Sequence, residues 1–331
     1  MNEMLENLIE KAIVNNASDV HLSLQNAGNE KNLKVEMRCA NGICEIKEKY
    51  DASLLNYLKF IANLDLGNTL PQSGNFSYSL KGKQYFFRFA YLQSIDVNTG
   101  VLRILNNHQK ISVDKLSCWK EQNEIFQRWC DLRGGLIIVS GPTGSGKTTT
   151  LHAILEQITN NHNLKVITLE DPIEIRSEHY LQLQINERMN FDYEEGIKQL
   201  LRHDPDVIMI GEVRDEKTAK TLIRCALSGH MVFTTLHAKS AKEALYRMID
   251  FGVKEKDLQE VLTAVTNQRI YPKKGRKGRV CIYEILEKQA ILSFFEKRTL
   301  PENHQDIYQC IKKGVETNLI AKAYAKADLT L

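Results

Sequence analysis

Two rhythms of apolar residues divide this chain. In the first third, apolar and polar positions alternate. Val20, Leu22 and Leu24, then Leu33, Val35 and Met37, fall on one side of two extended segments, as in half-buried strands. Ahead of them, Leu5, Leu8, Ile9, Ala12 and Ile13 recur at helical spacing, and a second helical pattern runs from Leu54 to Leu64. Asn41-Gly42 signals a tight hairpin into Ile43–Ile46. Strands are predicted again over Phe76–Leu80, Tyr85–Leu92 and Val101–Leu105, punctuated by Lys81-Gly82 and Asn98-Thr99-Gly100. Helix, strands, helix, strands predicts a small α+β domain with an antiparallel sheet over residues 1–107. The polar, aperiodic stretch Asn106–Ser112 marks its end.

Past residue 113 the strands become short and wholly apolar: Leu136–Val139, Val166–Leu169, Val207–Ile210 and Met231–Thr234. Such runs suit a parallel sheet covered on both faces, with helices between the strands. Residues 108–331 are therefore expected to form an α/β domain, with ligands at the carboxyl ends of its strands. After Ser240 the pattern reads as mostly helical, interrupted by a basic stretch at Lys273–Arg279. No repeat and no low-complexity segment appears.

Between the first apolar strand and the helical pattern Thr149–Ile158 lies Gly141-Pro142-Thr143-Gly144-Ser145-Gly146-Lys147-Thr148. Strand, glycine-rich loop and helix are the context in which G-x-x-x-x-G-K-[ST] is a P-loop. Its glycines let backbone N–H groups turn inward around phosphate oxygens at the positive end of a helix. Lys147 is placed for the β- and γ-phosphates, and the Thr148 hydroxyl for Mg²⁺. The expected ligand is ATP with Mg²⁺, held by Gly141 through Thr149. Acids follow two of the other strands: Glu170-Asp171 after the second and Glu212 after the third, the latter in the Walker-B position. A carboxylate there is suited to polarising water or positioning the metal. His230 and His237 bracket the fourth strand and are candidates for sensing the γ-phosphate.

Composition narrows the class without naming it. The chain has 331 residues, room for two domains with real cores, and a formal charge of +3, too small by itself to argue for nucleic acid. Seven cysteines without a C-x-x-C pair fit reduced thiols better than zinc or disulfides. Met1–Lys11 carries acids and no basic segment ahead of a long apolar core, so no signal peptide is expected. No run approaches the roughly 20 apolar residues of a membrane span, so any membrane association is expected to be peripheral.

Taken together the motifs resemble the secretion ATPases, the hexameric motors of type II secretion, type IV pili and competence pseudopili. Gly141–Thr148, Thr168–Glu174, Leu200–Asp215 and Gly229–Ala238 match that family's Walker A, Asp, Walker B and His boxes in order. Ala17–His21 and Pro71–Gly74 match segments of its first domain. The resemblance implies a RecA-like core preceded by a small PAS-like α+β domain, and a homohexamer at the cytoplasmic face of a membrane against a polytopic platform protein. It makes Glu170 the catalytic carboxylate, puts Glu212 at Mg²⁺ and water, and couples His230 and His237 to the γ-phosphate. It assigns Arg88 and Arg103 to the phosphates on domain closure, where a permanently charged, bidentate group is apt. Phe86 stands where relatives often have a further arginine.

Asn267–Ile270 runs straight into the basic stretch, with no four-cysteine insertion and no extra domain expected before residue 1, a short form that resembles both retraction motors and competence ATPases. Pro71–Gly74 and Gln182–Asn186 resemble the assembly side, and the retraction motors' helix is absent near Ala290–Leu292, so the resemblance is to the competence form. Retraction and type II secretion motors are the alternatives within the family. A nucleic-acid translocase is expected to show a strongly basic face, which the charge balance does not offer, so no direct nucleic-acid binding is expected. A non-hydrolysing scaffold is expected to lack Glu170 or Glu212. Lys273–Arg279, with five cations in seven residues, reads as a solvated loop or as a contact with acidic lipid or the platform protein.

Overall fold

The computed structural model describes residues 1–25, 32–39, 42–105, 111–186, 189–275 and 278–329. Asn41 of the expected hairpin, the linker over residues 106–110, and Arg276 and Lys277 of the basic stretch lie outside the described residues. The chain divides into two compact units, Met1–Gln109 and Lys110–Leu331.

The first unit runs α1 (Asn2–Val14), β1 (Asp19–Gln25), β2 (Asn32–Cys39), β3 (Gly42–Glu45), β4 (Tyr50–Asp51), α2 (Ser53–Ile61), β5 (Gln72–Leu80), β6 (Lys83–Gln93) and β7 (Val97–Ile104). Its sheet is antiparallel in the order β3-β2-β1-β7-β6-β5, with β4 pairing to β2. The alternating residues of β1 and β2 meet the apolar stripes of the two helices. Leu5, Leu8 and Ile9 from α1 and Leu54, Leu55 and Leu58 from α2 are buried with Val20, Leu22, Val35 and Met37. Gly74 is required where β5 passes the end of α2, because a Cβ there would lie 2.1 Å from the Ala62 carbonyl oxygen.

The second unit opens with α3 (Lys120–Cys130), β8 (Gly135–Ser140), α4 (Lys147–Asn161), β9 (Val166–Glu170) and β10 (Leu181–Gln184). It continues through α5 (Tyr193–Leu200), β11 (Val207–Ile210), α6 (Glu216–Leu227), β12 (Met231–Leu236), α7 (Ala241–Asp250) and α8 (Glu255–Val261). It ends with β13 (Leu262–Pro272), β14 (Arg279–Glu287), α9 (Lys288–Lys297), α10 (Ile307–Glu316) and α11 (Lys322–Leu329). The strand order is β10-β9-β11-β12-β8-β13-β14, parallel except for β14. Leu136 and Ile138 of β8 pack on one face with β9, β11 and α6, while Ile137 and Val139 pack on the other with α3 and α4. Both faces are thus covered, as the unbroken apolar runs predict. Among the described residues no helix is long and apolar enough to cross a membrane.

The region past Ser240, expected to be mostly helical, holds helices α7 to α11 and also a strand pair that the pattern did not predict. β13 and β14 form an antiparallel hairpin whose first strand lies beside β8. The cause is a buried polar core to β13: Thr266, Asn267 and Gln268 are all fully buried and erase any strand alternation. Each is spent on a hydrogen bond. Thr266 Oγ1 donates to the Glu284 carbonyl at 2.7 Å, Asn267 Nδ2 to Ser140 Oγ at 2.9 Å, and Gln268 Nε2 to the Ser145 carbonyl at 2.6 Å.

Candidate active site

β8 delivers the chain to Gly141, and α4 begins at Lys147. The loop between them turns only because glycine tolerates its backbone. Gly141, Gly144 and Gly146 have φ of 149°, 76° and 88°. At Gly141 space adds a second reason: a Cβ would lie 2.6 Å from the Gln268 carbonyl oxygen and 2.7 Å from Ser145 Oγ. β13 therefore forms a close back wall, and the Gln268 amide braces the loop from behind. Lys147 Nζ curls over the loop, donating to the carbonyls of Gly141 at 3.1 Å and Pro142 at 3.0 Å. Burial pushes its ammonium below the usual lysine range, with Glu212 and Glu174 opposing the fall.

These features fit a triphosphate. The first N–H groups of α4 are free of intrahelical partners by construction, a cation stands at its start, and the Thr148 hydroxyl is in its first turn. Ser145 Oγ, buried and with no hydrogen-bond partner among the described residues, is one more polar atom beside Gly141 in the cradle.

The acids lie at the carboxyl ends of β9 and β11. Glu170, the last residue of β9, is 2% exposed. Its Oε1 accepts from Thr168 Oγ1 at 2.6 Å and from Gln182 Nε2 at 3.0 Å, so strand β10 helps to aim it. Glu212 is more open, its Oε2 accepting from Arg214 Nε at 2.9 Å and its Oε1 lying 3.2 Å from His237 Nε2. Arg214 also reaches Asp171 at 3.5 Å. His237 follows β12 and is depressed below the usual histidine value by burial and by the charge of Lys147, against the pull of Glu212. Lys147, Glu212 and His237 are therefore gathered at one edge of the sheet.

His230 is not among them, which corrects the expectation that both histidines serve the phosphates. It precedes β12 while His237 follows it, and seven residue steps at about 3.3 Å each separate the two by about 23 Å. His230 instead lines a hollow of about 280 Å³ with Arg133, Pro205 and Asp206, at the amino-terminal edge of the strands. A motif that brackets a strand puts its two ends on opposite edges of the sheet.

In the first unit, Arg88 and Arg103 are direct register partners on β6 and β7 and so share one face. Arg103 Nε donates to Asp19 Oδ1 at 2.8 Å. Burial alone would raise the Asp19 carboxyl, but Arg103 and Ser18 outweigh it and hold it below the usual carboxylate value. Arg88 Nη2 reaches Ser73 Oγ at 3.4 Å. Ser73 belongs to Pro71–Gly74, and Ser18 and Asp19 to Ala17–His21, so both first-domain segments singled out in the sequence touch an arginine.

Reasoning from the sequence missed His152, Gln182 and Gln268 as neighbours of these groups. A faint signal exists for each: polar side chains set among apolar positions on elements that flank the loop or the acids.

A parallel sheet with a phosphate loop at one strand end, one strand inserted before the acidic strand, and a second buried acid beyond it defines a RecA-like P-loop ATPase. The chain belongs to the type II/IV secretion system protein family, whose model matches residues 1–328. The competence protein ComGA of Bacillus subtilis is 32% identical over 333 residues, which cover 94% of this chain and 92% of that protein. The type II secretion system protein E of Pseudomonas aeruginosa is 34% identical over 272 residues, covering 81% of this chain and 53% of that longer one. Among solved structures, the pilus retraction motor PilT with bound ADP superposes with a TM-score of 0.76 at 26% identity, over 97% of this chain and 96% of PilT. The chain is thus a nucleotide-binding ATPase of the secretion family.

Proposed function

We propose that this ATPase powers assembly of a competence pseudopilus for DNA uptake. It works as a homohexamer at the cytoplasmic face of the membrane, against a polytopic platform protein. The observation that carries this reading is the similarity to ComGA, which spans nearly the whole of both chains. The test is deletion of the gene in a transformable host. Transformation is expected to be lost and restored by the wild-type gene, and the protein is expected to leave the membrane fraction when the platform gene is removed. Normal transformation without the gene would leave type II secretion or pilus retraction as the work done.

In this reading residues 108–331 hydrolyse ATP and residues 1–107 report the state of the site. Gly141–Thr149 hold the phosphates, and Thr148 and Glu212 are the side chains that would hold Mg²⁺. The metal, when bound, neutralises charge on the phosphate oxygens. Glu170 orients the attacking water and accepts its proton. His237 stays beside Glu212 and Lys147, where a change in either charge is felt. Arg88 and Arg103 act on the phosphates. A transferring phosphoryl group gains on the order of 10³–10⁵ in kcat from a dedicated arginine. With two arginines sharing that work, Arg88→Ala or Arg103→Ala is expected to lower kcat at least about tenfold and to change ADP affinity by less than about threefold. Steady-state kinetics beside ADP titration checks this, and the reverse pattern would make the arginines simple binding residues.

A further inference from the structure

Glu170 is held from three directions, and only two of them involve formed hydrogen bonds. Thr168 and Gln182 both serve Oε1. The other oxygen faces α4, the helix that carries Lys147 and Thr148 at its amino end. From the buried side of α4, His152 Nε2 approaches Glu170 Oε2 to 3.4 Å, with both side chains under 5% exposed. Among the described residues Nε2 makes no hydrogen bond of good geometry. Its other nitrogen, Nδ1, is in short contact with the Tyr180 hydroxyl, and the two rings stack at 5.9 Å and 27°.

The tautomer follows from these neighbours. Burial, reinforced by Glu156 and Glu170, raises the Tyr180 phenol well above its usual value, so its O–H keeps its proton. A phenol that donates to Nδ1 leaves the imidazole hydrogen on Nε2, aimed at the carboxylate. The opposite tautomer would set a lone pair against a carboxylate oxygen in a dry site. Catalytic hydrogen bonds are often long before the substrate complex forms and tighten within it.

We infer that His152 is a positioning residue for Glu170: an Nε2–H donor, set by Tyr180, that ties the second carboxylate oxygen to the helix bearing the phosphate loop. The inference rests on the reading of Glu170 as the catalytic carboxylate. It differs from a packing role in one respect. A histidine that only fills space is replaced by any side chain of similar bulk, whereas a donor is replaced only by another donor.

The experiment uses the full chain, with ATP turnover measured beside binding of a fluorescent ATP analogue. His152→Leu is expected to lower kcat by about 10–100-fold, the range carried by outer-shell partners of functional groups, with KM within about twofold. His152→Gln, whose amide nitrogen stands near the position of Nε2, is expected to recover most of that loss. Tyr180→Phe is expected to slow the wild type but not His152→Gln, because an amide needs no tautomer lock. Equal loss in His152→Leu and His152→Gln, or a loss confined to KM and binding, would overturn the inference. Should His152→Leu fail to fold, the cycle of Tyr180→Phe with His152→Gln decides alone, and additive losses there would reject the donor role. Glu170→Gln separates the two readings. Full activity in Glu170→Gln removes the premise, whereas an inactive Glu170→Gln beside a fully active His152→Leu removes only the inference.

Discussion

Lys147→Ala is expected to cut ATP turnover by at least about 10²–10³-fold, the cost of removing one preorganised charge from a transition state, and to weaken ATP binding with it. The structural duty of the side chain is confined to the loop it serves. Among the described residues, its side-chain hydrogen bonds are to the Gly141 and Pro142 carbonyls of that loop. Burial makes the folded protein bind this proton less well than the unfolded chain does, since the amine's folded value is lowered. The sign of the linkage is then fixed: at neutral pH the ammonium costs stability, and that cost is relieved only as the pH rises past the folded-state value. Removing the group is therefore expected to leave the melting temperature unchanged or slightly higher. A folded Lys147→Ala protein that hydrolyses ATP at a near-normal rate would sink the assignment of the loop as the triphosphate site.

Glu170→Gln is expected to separate chemistry from binding. The amide keeps the volume of the side chain, and its remaining oxygen still accepts from Thr168 and Gln182, so the loop after β9 keeps its shape. What is lost is the base. General-base assistance is worth about 10²–10⁴-fold, so kcat is expected to fall by that factor while ATP affinity stays within about twofold. Single-turnover hydrolysis beside an equilibrium binding titration reads the two separately. Retained turnover would transfer the catalytic role to Glu212, which is also at a strand end but is engaged by Arg214 and His237.

Much of the frame was legible in the chain because burial and sequence agree there. β8, β9, β11 and β12 are apolar on both sides, and no surface strand reads that way. The loop after β8 was legible because its glycines, lysine and threonine each answer a separate physical need. The hairpin β13–β14 was hidden for the opposite reason. Its central residues are polar and yet wholly buried, since they satisfy the phosphate loop and the neighbouring strand. Polarity written along a chain does not reveal whether its partner is water or protein. His230 misled because proximity in sequence to His237 says nothing of the length of strand between them. His152 escaped notice because α4 buries it among Leu151, Ala153, Ile154 and Leu155, where a histidine looks like filler.

The polar strand behind the loop also reaches helix α11. Arg269, next to Gln268 on β13, donates to the Lys239 carbonyl at 2.7 Å and faces Asp328 at 3.4 Å, while the Tyr271 hydroxyl donates to Asp328 at 2.6 Å. One aspartate near the end of α11 thus grips the strand whose next residue braces the nucleotide cradle. Thermodynamic reciprocity makes such a linkage run both ways. To whatever extent phosphate binding and the placement of α11 are coupled through β13, each changes the free energy of the other by the same amount. In the motor proposed above, the three side chains Arg269, Tyr271 and Asp328 would be a route for feedback from force to fuel.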